Sequence, residues 1–356
     1  MVSAWRIRDL NSFGCMSEPN SPLKYDSGRE VPLEEPPYGI IARKMKAGNV
    51  VPFLGAGASL IGRPSQDAKF DDKNPTFLPN GWELAEVLAK ESSFPSEEAS
   101  DRNDLAKVSS YFQDVSGRAD LRDRLRQLLH PEPGVVTTDI PENAAQPRTI
   151  HRLLAGIAKP QIIVTTNYDT LIEEAFAEAK RAYHLIVYPA DNAEVYNGVL
   201  WQKPGGREFE SRAANEMDWE SELKDATVIF KMHGTIYPES KQFDNFVITE
   251  EDYVEFLSRM IKSTAIPPTF YEQFATRNFL FLGYGLRDWN LRVLLKNLGN
   301  QLSRGGKDRP RQEPIPHWAI QFNPSALERS LWSARRVKIF DVGLQIFVAK
   351  LDSQLR

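Results

Sequence analysis

Two periods of hydrophobicity alternate along the chain. Near-continuous apolar runs occupy residues 50–54, 161–166, 183–188, 226–232, 278–282, 318–323 and 336–340. Their length and β-branched content predict strands, and the lack of alternation predicts strands covered on both faces. Between them, residues 170–180, 249–261, 286–298 and 344–355 repeat apolar positions with the period of a helix. Strand and helix taking turns in this way is the signature of a doubly wound parallel sheet, an α/β fold of Rossmann-like type. A short helix over 40–47, closed by Gly48, feeds the first strand.

One block breaks the alternation. Helical patterns at 80–88, 104–114 and 119–129 follow one another with no strand between them, and a Pro-rich connection over 131–147 leads to a helix at 149–158. This predicts a helical insertion spanning about 80–150. Before it, residues 63–79 are polar and aperiodic and read as an exposed loop able to act as a lid. Arg122, Arg124 and Arg126 spread around their helix and read as a solvated surface, and His151 reads as a packing or capping residue. Residues 189–225 yield no chemical reading. Residues 1–38 carry five prolines and read as an extended arm, with 39–356 as the folded domain.

Composition narrows the function. A net charge of −4 over 356 residues disfavours a broad nucleic-acid-binding face, so no direct nucleic-acid partner is expected. No apolar run approaches a membrane span, and the first ten residues lack the apolar core of a secretory signal, so the expected location is the cytoplasm, away from membranes. The single cysteine, Cys15, excludes a zinc site built from several cysteines of this chain, and no metal is expected.

Candidate chemistry gathers where strands end. The first strand runs into Gly55-Ala56-Gly57-Ala58-Ser59, a turn in which backbone can approach an anion closely. The others end in Thr166-Asn167-Tyr168-Asp169, His233-Gly234 and Gly283-Tyr284-Gly285. In a parallel sheet these ends share one edge, where open α/β folds bind ligands. A dehydrogenase fingerprint is incomplete, because Leu60 stands where Gly-x-Gly-x-x-Gly requires its third glycine.

As an ordered set, these motifs resemble the sirtuin (SIR2) family, and most closely its bacterial SIR2-like effectors of anti-phage defence, which hydrolyse NAD. The resemblance implies that Gly55, Ala56, Gly57 and Ser59 line the NAD pyrophosphate and nicotinamide ribose. It implies that Asn167 contacts that ribose and a water, that Asp169 holds the nicotinamide carboxamide, and that His233 is the catalytic histidine. Gly283 and Tyr284 stand where the family has a Gly-Thr or Gly-Ser turn, and Asn323 matches its asparagine on the adenosine ribose. Asp288 and Asn290 recur in such effectors, although Asp288 equally suits a helix cap. The family's four-cysteine zinc ribbon, which frames an acyl-lysine peptide, has no counterpart here, so water is the expected acceptor.

The residue types suit that chemistry. Cleaving the bond from nicotinamide to its ribose develops an oxocarbenium-like centre, which calls for an oriented leaving group and a placed water. Asp169 can grip an amide, Asn167 can position water, and His233, with an ordinary pKa of about 6.5, can take a proton near neutrality. The expectation is an NAD hydrolase releasing nicotinamide and ADP-ribose and depleting NAD in defence. Its alternatives are an NAD-dependent protein deacylase or ADP-ribosyltransferase, and a non-catalytic module that senses NAD or ADP-ribose. Control is expected from assembly, as a homo-oligomer through Trp5, Ile7, Leu10 and Phe13 of the arm, or with a HerA-type ATPase, a partner of one class of such effectors.

Overall fold

The computed structural model describes residues 34–60, 63, 68–130, 149–190, 198–261, 265–285, 293, 295–296 and 315–356, all within one compact unit, Glu34–Arg356. The arm residues Trp5, Ile7, Leu10 and Phe13, the cysteine Cys15, and Asp288 and Asn290 lie outside the described residues.

Seven parallel strands form the body of a nine-stranded sheet among the described residues. They are β1 (Val50–Leu54), β2 (Ile162–Thr165), β3 (Tyr183–Val187), β6 (Thr227–Lys231), β9 (Asn278–Leu282), β10 (His317–Gln321) and β11 (Val337–Asp341). Their spatial order is β11-β10-β9-β1-β2-β6-β3. From β1 the chain crosses to β2 and then to β3, comes back to place β6 between those two, and later passes to the other side of β1 with β9. The strand order therefore reverses between β1 and β9, and this reversal opens a crevice at the carboxyl ends of the strands. The fold is the Rossmann-like α/β type that the alternating pattern predicts.

Residues 189–225, silent in sequence, contribute β4 (Gly198–Gln202) and β5 (Glu210–Ala213), which extend the sheet beyond β3 in antiparallel fashion. β5 is polar and half exposed, as an edge strand that must not invite further pairing. A small hairpin of β7 (Gly234–Thr235) and β8 (Asn245–Phe246) stands apart.

Helices cover both faces. One face of the sheet, with Val51, Phe53, Phe230 and Phe281, packs against Phe256 and Met260 of α8 (Glu250–Ile261) and against Phe270 and Phe274 of α9 (Pro268–Thr276). The other face, with Val50, Ile163, Ile229 and Leu282, packs against α1 (Tyr38–Lys46), α6 (Ile150–Ala155), α7 (Leu171–Glu178) and the terminal α11 (Leu344–Leu355). The helix between β10 and β11 is α10 (Ala326–Ser333). Pro52 lies inside β1 and has no N–H to give. Its neighbours Phe53 and Gly55 point their amides at β9, so Pro52 faces β2, and pairing with β2 begins only at Phe53.

The helical block comprises α2 (Gly81–Glu91), α3 (Ala99–Arg102), α4 (Leu105–Ser116) and α5 (Arg118–Leu129). Its own core of Leu84, Leu88, Val108, Phe112, Leu121 and Leu125 also takes in Ile236, Phe246 and Ile248 around the small hairpin. Asn80 and Glu83 form a reciprocal capping box at the start of α2, worth about 1 kcal/mol in typical helices.

Two features depart from the sequence reading. The described part of the polar loop before α2 is tied down: the buried carboxylate of Glu83 accepts from Arg63 and from the Phe70 and Asn80 amides, and Arg63 also bonds the Ala68 and Leu78 carbonyls. The arginines of α5 are clasps, not a solvated face. Arg126 reaches the buried Asp244 at 2.7 Å and the Tyr237 and Pro238 carbonyls, while Arg124 pairs with Glu91 at 2.5 Å. No helix among the described residues is long and apolar enough to cross a membrane.

Candidate active site

Two turns interlock at the β1/β9 crevice. Gly55 donates its amide to Leu282 O at 3.1 Å, and Gly57 donates to Gly283 O at 2.8 Å. A Cβ on Gly55 would stand 2.6 Å from Tyr284 Cα, and one on Gly57 would stand 2.8 Å from Gly283 O. Gly283 has φ +62° and no room for a Cβ, which would lie 2.2 Å from the Ala58 amide nitrogen. The glycines are thus required by the closeness of the two turns, and the Gly57 amide is engaged within the protein. Ala56, at the outer corner, is exposed. Tyr284 turns inward, its ring edge-on to Phe53 at 5.1 Å between centroids, and belongs to the core beneath the turn.

The turn after β1 also meets the turn after β2. Ser59 is buried and donates its hydroxyl to Asp169 Oδ2 at 2.6 Å. Asn167 donates its side-chain amide to Ser59 Oγ at 2.7 Å and to Gly55 O at 2.9 Å. The Asn167 backbone amide is in turn held by Thr165 Oγ1 at 3.0 Å. Asp169 Oδ1 accepts from the Leu171 amide, the first of α7, so one carboxylate both satisfies a helix-end amide and anchors the serine. Tyr168, between them, donates its hydroxyl to Val247 O at 2.6 Å and faces Phe246 edge-on, linking this turn to the small hairpin.

Thr165 and Lys231 are register partners across β2 and β6, so Asn167 and His233 stand at equivalent positions two residues past the sheet. His233 is 3% exposed, its ring held edge-on by Tyr253 at 5.5 Å and Phe256 at 5.3 Å, both from α8. Gly234 follows with φ +90°, where a Cβ would lie 2.0 Å from Asn245 O, so only glycine lets the chain turn into β7 at this point. Asn323 lies elsewhere on the same edge, past β10. It is exposed, adopts φ +51°, and its backbone amide is held by Asp341 Oδ1 at 2.8 Å.

The structure therefore joins Ser59, Asn167 and Asp169 by direct hydrogen bonds with Gly55. It sets His233 on the neighbouring strand end and leaves Asn323 two strands away from β1. It also brings in three groups that the sequence reading did not place in a site. Lys231, the last residue of β6, is fully buried and pairs with Glu173 of α7 at 2.8 Å. Burial raises the Glu173 pKa, against the opposing pull of Lys231. His151 at the start of α6 is buried, and desolvation pushes its pKa down to about 4, although Asp169 opposes the shift. A lysine ending an otherwise apolar strand, Thr-Val-Ile-Phe-Lys, was the available signal. Among the described residues no group of three or more His, Cys, Asp or Glu is arranged to hold a metal ion.

The SIR2-like domain family matches residues 161–340, a stretch that holds Asn167, Asp169, His233, Gly283, Tyr284 and Asn323. The chain is 23% identical over 289 residues to defense-associated sirtuin 2 of Bacillus subtilis, an alignment covering 78% of this chain and 22% of that protein. It is 26% identical over 220 residues to the NAD(+) hydrolase ThsA of Enterococcus faecium, covering 61% of this chain and 35% of the relative. The alignments thus take in only a minor part of either relative's length.

Proposed function

The chain belongs to the SIR2-like domain family, and from that premise we propose that it hydrolyses NAD to nicotinamide and ADP-ribose, as an effector of anti-phage defence. The observation that carries the reading is the hydrogen-bonded set Ser59, Asn167 and Asp169 at the carboxyl edge of β1 and β2, with His233 two residues past the end of the neighbouring β6. One named relative is an NAD(+) hydrolase and the other a defence-associated sirtuin.

In this reading NAD lies along the crevice between β1 and β9. Gly55, Ala56, Gly57 and Ser59 border its pyrophosphate and nicotinamide ribose. Asp169, fixed through both oxygens, presents its edge to the nicotinamide carboxamide. Gly283 borders the crevice beside Gly57, from whose amide its carbonyl accepts, and Tyr284 supports this turn from the core. Asn323 borders the adenosine end. The Asn167 amide orients water at C1′, and His233 accepts the proton as the bond to nicotinamide breaks. Holding donors in place before the charge develops is what lowers the barrier.

The lone Cys15 supports hydrolysis over deacylation, since a four-cysteine ribbon cannot be built from this chain. One observation favours a second reading, a non-catalytic NAD-sensing module: His233 is enclosed by Tyr253 and Phe256. For a hydrolase, that enclosure means α8 must shift to admit substrate, and assembly as a homo-oligomer or with an ATPase partner of HerA type is a means of control.

Product analysis of NAD incubated with the protein separates these readings. Hydrolysis gives nicotinamide and ADP-ribose in equal amounts without any acylated peptide. A strict requirement for such a peptide would indicate deacylation, and calorimetric binding of NAD without products would indicate the sensor.

A further inference from the structure

Lys231 has no part in the chemistry outlined above, yet its placement is costly. It follows Ile229 on the face of β6 that packs against α7, and it is 0% exposed. An ammonium carries three hydrogens. Here its bonds run to Glu173 Oε1 at 2.8 Å, Asp169 O at 2.5 Å and Tyr168 O at 3.3 Å. Both carbonyls belong to the turn that carries Asn167 and Asp169. The same turn is held from its other sides by Ser59, Leu171 N and the Ile236 amide, which donates to Tyr168 O at 3.0 Å.

Stability does not explain such a pair. Replacing a buried ion pair by apolar side chains of similar volume is often neutral or stabilising, whereas removing one partner leaves an uncompensated charge. The other residues on this face of the sheet, Ile163, Leu185 and Ile229, show that apolar side chains fit there. What apolar side chains cannot do is donate to the Tyr168 and Asp169 carbonyls.

We propose that Lys231, with Glu173 as its buried counter-ion, is a positioning residue: it fixes the Tyr168–Asp169 carbonyls from beneath, so that the Asn167 amide and the Asp169 carboxylate hold one geometry. The consequence for turnover rests on the NAD-cleavage reading; the effect on the turn does not.

The test compares the wild-type chain with the double variant Lys231→Met/Glu173→Leu, which removes both charges together. Thermal unfolding should stay close to wild type, because no lone charge is buried. Amide hydrogen exchange over residues 166–171 should rise about tenfold with the rest of the sheet unchanged. Nicotinamide release should lose about a hundredfold in kcat, the scale expected for a misplaced catalytic group, with KM nearly unchanged. Wild-type exchange over 166–171 overturns the proposal whatever the activity does, and faster exchange with wild-type kcat overturns its functional half. If wild-type protein releases no nicotinamide, the NAD reading fails and the exchange result alone decides the positioning claim. Should the double variant not fold, Glu173→Gln carries the same exchange measurement, with a smaller rise expected and no rise overturning the proposal.

Discussion

The Ser59 hydroxyl donates to the Asp169 carboxylate at 2.6 Å and joins the turn after β1 to the turn after β2, 110 residues later in the chain. A serine in this place does two jobs, because its oxygen also accepts from Asn167. Ser59→Ala leaves both an acceptor on Asp169 and a donor on Asn167 without that partner in a buried site. The expected cost is about 1–3 kcal/mol of stability, together with a loss of turnover, both read from thermal unfolding and nicotinamide release on the same preparation. Wild-type values in both would show that the bond is dispensable.

The interlocked glycines give a sharper contrast. Gly283→Ala forces a Cβ to 2.2 Å from the Ala58 nitrogen at a positive φ, so the two turns must part, at a cost of about 3 kcal/mol or more. Gly285→Ala, only two residues on, meets nothing within 4 Å and should be close to neutral. Equal melting temperatures for the two variants would contradict the described packing.

Acid should weaken the fold through His151. Its folded pKa is pushed down to about 4 by burial, below the value of about 6.5 expected when unfolded. Between those values the unfolded chain binds the proton and the folded chain does not, so stability falls as pH drops from about 6.5 to about 4 and is flat above that window. The full effect is about 3 kcal/mol. His151→Gln should flatten the slope of unfolding free energy against pH in this window; an unchanged slope would show that His151 is not a buried neutral group. His317, also pushed down to about 4 by burial, adds a slope of the same sign that this variant leaves in place.

Docking of the helical block rests on Arg126. Its guanidinium reaches Asp244, whose side chain is buried, and two carbonyls of the hairpin loop. Arg126→Met should cost about 3 kcal/mol because the carboxylate is left buried without its cation. Arg152→Met, which breaks an exposed pair with Glu178, should cost less than about 1 kcal/mol. Urea unfolding of both variants makes the comparison.

Much of the fold was legible because parallel strands covered on both faces carry an apolar run that survives without alignment to anything else, as Asn278–Leu282 shows. β4 and β5 were not: Glu210–Ala213 is half exposed and has no apolar periodicity to find, and Gly198–Gln202, though buried, offers only three consecutive apolar residues between a glycine and a glutamine. α9 opens on Pro267-Pro268, which reads as a break, although proline at the first helical position begins a helix well. In the site, Ser59, Asn167 and Asp169 could be nominated because polar residues at strand ends stand out. Their mutual bonds depend on how β1 and β2 are registered, which no local pattern encodes. Lys231 and Glu173 were hidden for another reason: a lysine beside apolar residues usually reads as a solvated end, and its burial becomes tolerable through a carboxylate and two turn carbonyls far away in the sequence.

Cleavage of NAD by the strand-end cluster is measured as nicotinamide release from NAD by the wild-type chain and by Asn167→Ala and His233→Ala, each checked for wild-type unfolding. The wild type should turn over and each variant should lose about a hundredfold or more, the scale of a missing general base or a misplaced water. Turnover by both variants at the wild-type rate would contradict cleavage by this cluster.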